Sequence, residues 1–127
     1  MKYLIDTNIA IFCIKNDSII VNKIRNVCKI AISVISVGEL LYGVNISRDK
    51  DKNTIALEKF LKNIEIIFID TQTANQYAMI RALLKKLGKP TPDNDIWIAA
   101  TAKANNLTIA TRDRHFLTID FIMSENW

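Results

Sequence analysis

The chain has 127 residues, half of them hydrophobic, with only 3 Gly and 2 Pro. That supplies one core for a single domain spanning residues 1–127, and it argues against a turn-rich sandwich or a disordered polymer. The formal charge of +4, from 17 Lys+Arg against 13 Asp+Glu, suits a polyanionic partner without requiring one.

The remaining composition narrows the chemistry. Cys13, Cys28 and the lone His115 are too few and too far apart for a structural zinc site. Both cysteines lie among apolar residues and read as small, reduced core residues of a cytoplasmic protein. Asp6 interrupts the apolar start, so no signal peptide is expected, and no apolar run approaches the length of a membrane span.

In chain order, Tyr3-Leu4-Ile5 is an apolar run cut off by Asp6-Thr7-Asn8. It reads as a buried strand entering a loop. Ile9, Phe12 and Cys13 recur at helical spacing, Asn16-Asp17-Ser18 marks a break, and Ile20, Ile24 and Val27 define a second helix. Residues 30–34 form strand two. Ser36-Val37-Gly38-Glu39 then matches a capping box, in which Glu39 would return a hydrogen bond to the backbone. An amphipathic helix carries Ile55, Leu57, Phe60 and Leu61. Residues 65–69 form strand three, closed by Asp70, which starts a helix that Gly88 stops. Asp93-Asn94-Asp95 opens the next helix, where acids are favoured by the dipole. Residues 107–110 form strand four, ending at Thr111-Arg112-Asp113, and residues 120–123 form a last short strand. Strands separated by helices imply right-handed crossovers, hence a parallel sheet covered on both faces.

In such a sheet, loops at the carboxyl ends of the strands build the binding crevice. Asp6, Glu39 and Asp113 each follow a strand end, and Asp95 reaches the same edge if its helix runs antiparallel to the strands. Each acid also has a purely structural reading as a cap or first-turn residue. Together they are harder to dismiss. Clustered carboxylates are costly unless a proton, a basic group or a cation compensates them. Hard oxygen donors favour Mg²⁺, or Mn²⁺, and such a site suits phosphodiester hydrolysis.

Leu4-Ile5-Asp6-Thr7-Asn8, Ser36-Val37-Gly38-Glu39-Leu40, Asp95-Ile96-Trp97-Ile98-Ala99-Ala100 and Thr111-Arg112-Asp113-Arg114-His115-Phe116 together resemble the PIN-domain nucleases, most closely the VapC-type toxins of toxin–antitoxin pairs. The resemblance covers essentially the whole chain and rests on four motifs in order. It implies a three-layer α/β/α PIN-like fold with a central parallel sheet of four to five strands. It also implies a Mg²⁺- or Mn²⁺-dependent endoribonuclease that cuts structured RNA such as tRNA or rRNA. Asp6, Glu39, Asp95 and Asp113 would be catalytic, with Asp6 and Asp95 the principal metal ligands. Thr7, Asn8 and Thr111 would hold the carboxylates by hydrogen bonds. Many relatives carry Asn at the position of Asp113. A VapB-like antitoxin would lie across the pocket, and a homodimer would form through helices. Arg112, Arg114 and His115 are candidates for RNA contact, with Lys85, Lys86 and Lys89 as a further basic patch. Trp97 reads as core or dimer surface.

Two other classes compete. A receiver-like signalling module would use Asp6 and Asp70 as metal ligand and phosphoacceptor, but it wants paired acids after strand one and a late Lys, where the chain has Asp6-Thr7 and Thr111-Arg112. A catalytically inert binding domain would not need all four acids.

Overall fold

The computed structural model describes residues 2–27 and 29–127; the reading of Cys28 as a core residue lies outside them. Five strands, β1 (Lys2–Ile5), β2 (Lys29–Ser33), β3 (Glu65–Ile67), β4 (Thr108–Thr111) and β5 (Ser124–Asn126), form one parallel sheet in the order β3-β2-β1-β4-β5. The first strand in sequence is therefore central, with Ile5 level with Ile32 on one side and Ala110 on the other.

Among the described residues, seven helices connect the strands: α1 (Thr7–Ile14), α2 (Ser18–Asn26), α3 (Val34–Asn45), α4 (Lys50–Leu61), α5 (Thr71–Lys86), α6 (Asp93–Ala104) and α7 (Arg114–Leu117). Side chains alternate across a strand, and that alternation builds two cores. Leu4, Ala31 and Ile109 face Ile80, Leu84, Ile98 and Phe116, from α5, α6 and α7. Ile5, Ile32 and Ala110 face Ile9, Ile20, Leu40 and Leu57, from α1 to α4. The result is the expected three-layer α/β/α arrangement.

Local chemistry explains most boundaries. Asp17 and Asp49 cap α2 and α4 through their side chains. Gly88 sits at φ 66° just past α5, and the amides of Gly88 and Lys89 bond back to the carbonyls of Lys85 and Leu84, which closes the helix in the way a left-handed glycine permits. Tyr77 lies against Trp97, and Arg81 lies near Asp93, so α5 and α6 form an antiparallel hairpin.

Three expectations are corrected. The last strand is Ser124–Asn126, not 120–123. Ile122 is core, with Phe121 packed against it, and the run 120–123 is a turn that brings both inward. Helix α3 begins at Val34, capped by Ser33, so the Ser36–Glu39 capping box is not formed. Strand three ends at Ile67, and Phe68 is exposed.

Candidate functional site

Asp6 stands one residue past the central strand and is 4% exposed. Its Oδ1 accepts from the Ile9 amide at 2.8 Å, so it caps α1, and its Oδ2 accepts from the Thr111 hydroxyl. The capping role and a place at the mouth of a site thus coexist, because a carboxylate offers about four lone-pair positions. Thr111, fully buried at the end of β4, also accepts from the Asp113 amide at 2.8 Å. Asp113 caps the short α7, and its Oδ1 lies 3.0 Å from His115 Nδ1.

With no capping box to occupy it, Glu39 turns toward β1. The Thr7 hydroxyl donates to its Oε1 at 2.6 Å and lies 2.9 Å from Ser36 Oγ. Asp95, in the first turn of α6, is partly buried and receives no hydrogen bond among the described residues. Burial first, then the charges of Asp113, Glu39 and Asp6, push its carboxyl up to about 6; His115 pulls the other way. Asp6 is also raised, chiefly by burial, with Asp113 and Glu39 adding to it and the Thr111 and Ile9 hydrogen bonds opposing. Four acids separated widely in sequence therefore lie within electrostatic reach of one another at one sheet edge.

The donors are hard oxygens, and Asp95 in particular is an unsatisfied carboxylate among three other acids. Yet among the described residues no three acidic, His or Cys side chains converge closely enough to grip one ion. That arrangement fits a cation that takes one or two carboxylates and completes its shell with water, as Mg²⁺ does, and not a closed zinc cage.

The other candidates separate. Asn8 is exposed, and its side chain bonds to none of these carboxylates among the described residues. The Arg112 guanidinium is already occupied: Nε donates to the Trp127 carbonyl at 2.7 Å, a terminal nitrogen lies 3.4 Å from Asp17, and the group sits 4.6 Å over the Phe12 ring. Arg114 and His115 are exposed beside the acids. Asp70, three residues past the edge strand β3, caps α5 through the Thr73 amide and hydroxyl, which leaves the receiver-like reading without its phosphoacceptor. One group escaped the sequence reading. Tyr77 stacks on Trp97 at 3.8 Å, accepts from Arg81 and donates to Asp93. Its only sequence signal was a set of aromatic and charged residues on two consecutive helices.

Residues 3–122 match the family model for the PIN domain. Over its whole length the chain is 35% identical to ribonuclease VapC2 of Haemophilus influenzae and 33% identical to the tRNA(fMet)-specific endonuclease VapC of Shigella flexneri, covering 98% of each. Among solved structures, VapBC2 from Rickettsia felis bound to a promoter DNA fragment superposes with a TM-score of 0.93 at 34% identity, covering 100% of this chain and 99% of that one. DNA-bound VapBC from Salmonella typhimurium gives 0.91 at 35% identity, covering 100% of this chain and 98% of that one. With a full-length match in sequence and fold, the chain belongs to the PIN-domain family, in its VapC branch of ribonucleases.

Proposed function

We infer that this chain, as one domain over residues 1–127, is a divalent-metal-dependent endoribonuclease and the toxin of a toxin–antitoxin pair. The observation that carries the reading is the gathering of Asp6, Glu39, Asp95 and Asp113 at one sheet edge, with Asp95 partly buried and receiving no hydrogen bond among the described residues. An uncompensated acidic cluster of this kind calls for a cation.

Asp6 and Asp95 would hold Mg²⁺ or Mn²⁺. When bound, such an ion supplies positive charge against a phosphodiester and makes water more acidic. The protein's own part is positioning. The Ile9 amide and Thr111 hydroxyl fix Asp6, so its free lone pairs keep one direction. Thr7 holds Glu39 toward the same edge, where its carboxylate orients the attacking water and takes up its proton. Asp113, fixed by Thr111 and His115, acts directly or through water. His115 and Arg114 offer donors on the open side to the phosphate.

The named tRNA(fMet) specificity of the Shigella and Salmonella relatives makes tRNA the first substrate to try, with rRNA second. The VapBC structures support a VapB-like antitoxin as partner. Exposed Leu41 and Tyr42 on α3, Ile46 just past its end, and Met79 and Leu83 on α5 support a homodimer through helices. No helix among the described residues is long and apolar enough to cross a membrane, which supports a cytoplasmic site of action.

The test is cleavage of total RNA by purified protein in Mg²⁺, Mn²⁺ or EDTA, beside Asp6→Ala and Asp95→Asn. Discrete fragments that need metal and both acids are expected. Fragments that survive in EDTA, or full activity in Asp95→Asn, would refute the assignment.

A further inference from the structure

At the turn of the α5–α6 hairpin, a cleft of about 480 Å³ is lined by Arg81, Lys85, Lys89, Pro90, Thr91 and Ile96, with no acid among its lining residues. It lies at the same end of α6 as Asp95, since Ile96 belongs to the first turn of that helix. Arg81 and Lys85 are four residues apart and share one face of α5. The apolar stripe of Met79, Leu83 and Leu87 lies on the other flank of that helix, so a partner covering the stripe leaves the basic face open. Basic residues at a helix end have a simple explanation in the dipole, but that does not account for Lys89, which lies beyond the helix. Two of the three cations are also positioned. Arg81 donates to the Tyr77 hydroxyl at 2.9 Å, over a ring stacked on Trp97. Lys89 Nζ lies 3.4 Å from the carbonyl of Thr118, the residue that ends the helix capped by Asp113. The cleft therefore runs along the turn of the hairpin to the start of α6, and Lys89 reaches from it toward the end of α7.

We propose that this cleft is a track for the sugar–phosphate backbone of single-stranded RNA, in which Lys85 and Lys89, flanked by Arg81, hold phosphates beside the bond to be cut. The proposal rests on the ribonuclease reading and extends it. Phosphates anchored in a cation-lined concavity would add to what a divalent ion offers a polyanion at the acidic edge, and no acid lines this one, although Asp93 lies near Arg81. Phosphate contacts of this kind are read out by salt, since each one on a single strand steepens the dependence of log K on log salt by roughly 0.7.

The experiment compares the full chain with Lys85→Gln/Lys89→Gln, with Lys85→Arg/Lys89→Arg, and with a charge-matched control on the opposite layer, Lys50→Gln/Lys52→Gln. Thermal melts establish that each variant is folded. Binding of a fluorescein-labelled mixed-sequence RNA oligonucleotide is followed by anisotropy in EDTA, from about 50 to about 200 mM KCl. Removing two contacts should flatten the salt slope by roughly 1.4 and weaken binding on the order of 20-fold near 0.1 M salt. In cleavage with metal, the loss should fall on KM and not on kcat. The Arg pair should bind like wild type, and the α4 pair should leave binding and cleavage unchanged. If wild type cuts RNA while Lys85→Gln/Lys89→Gln matches the α4 control in slope and affinity, the cleft proposal is wrong and the nuclease reading stands. If wild type neither binds nor cuts RNA, the nuclease reading fails and takes the cleft with it. If the Gln pair keeps RNA binding but loses affinity for poly-L-glutamate, the cleft belongs to an acidic protein partner and the proposal is overturned.

Discussion

Replacing Asp95 by Asn should make the protein more stable at neutral pH while removing its nuclease activity. The Asp95 carboxyl lies at about 6 against an ordinary 3.8, so the folded state holds a proton there that the unfolded chain has released. Stability from this group is complete below about pH 4 and is lost as pH rises through about 6, where the native site must ionise against its neighbours. A gap of roughly two units corresponds to about 3 kcal/mol. Because Asp95 is only partly buried, solvent screening lowers the realistic figure to about 1–2 kcal/mol. For a chain of this size that is roughly 4–8 °C in Tm. The assay is thermal and urea denaturation of both proteins at one fixed concentration, at pH 7.5 and pH 4, in EDTA and low salt. The variant should melt higher at pH 7.5, and the two curves should meet near pH 4. Mg²⁺ should then raise the wild type more than the variant, because a ligand stabilises the state that binds it. A variant that melts at or below wild type at pH 7.5 in EDTA would show that the four carboxylates do not repel one another as argued.

Three further outcomes follow from the hydrogen bonds that hold the acids. Thr111→Val strips the donor from buried Asp6 and the acceptor from the Asp113 amide, and should cost about 1–3 kcal/mol in urea unfolding with an unchanged m-value. Thr7→Val frees Glu39 while removing two partly buried contacts, to Glu39 and Ser36, so the cleavage rate should fall markedly on a given RNA while stability falls by about 1–2 kcal/mol. Arg112→Lys keeps the charge but loses the Nε bond to Trp127 and the flat face over Phe12, and should lower stability by about 1 kcal/mol in thermal melts with RNA affinity unaltered.

The parallel sheet was legible because β1, β2 and β4 are apolar runs that end abruptly, and alternation about Leu4-Ile5 or Ile109-Ala110 is what two covered faces demand. Strand β5 was not, since Ser124-Glu125-Asn126 is a largely exposed edge whose pairing is made by backbone alone. Val34 looked like the end of a strand, as β-branched residues do, and so Ser33 was passed over as the helix cap. That the acids face one edge follows from their places after strand ends. Which donors restrain them does not, because the Thr7–Glu39 bond spans 32 residues and the Thr111–Asp6 bond 105. No local pattern encodes such pairings. Arg112 is a candidate for RNA contact in the sequence, where only a cation beside an acid is visible; the Trp127 carbonyl and Phe12 ring that engage its guanidinium lie far off in the chain.

The central place of β1 has a consequence for synthesis. The strand made first pairs with β4, more than a hundred residues later, as Tyr3 opposite Thr108 shows. Until that partner has left the ribosome, Asp6 lacks the Thr111 hydroxyl and Asp113 has not emerged beside it. Long-range parallel pairing of this kind also forms slowly. With the proposed site built from Asp6, Glu39, Asp95 and Asp113, a nascent chain would lack a complete site until β4 and the loop after it have emerged. The order of strands would then set a delay between making this protein and arming it.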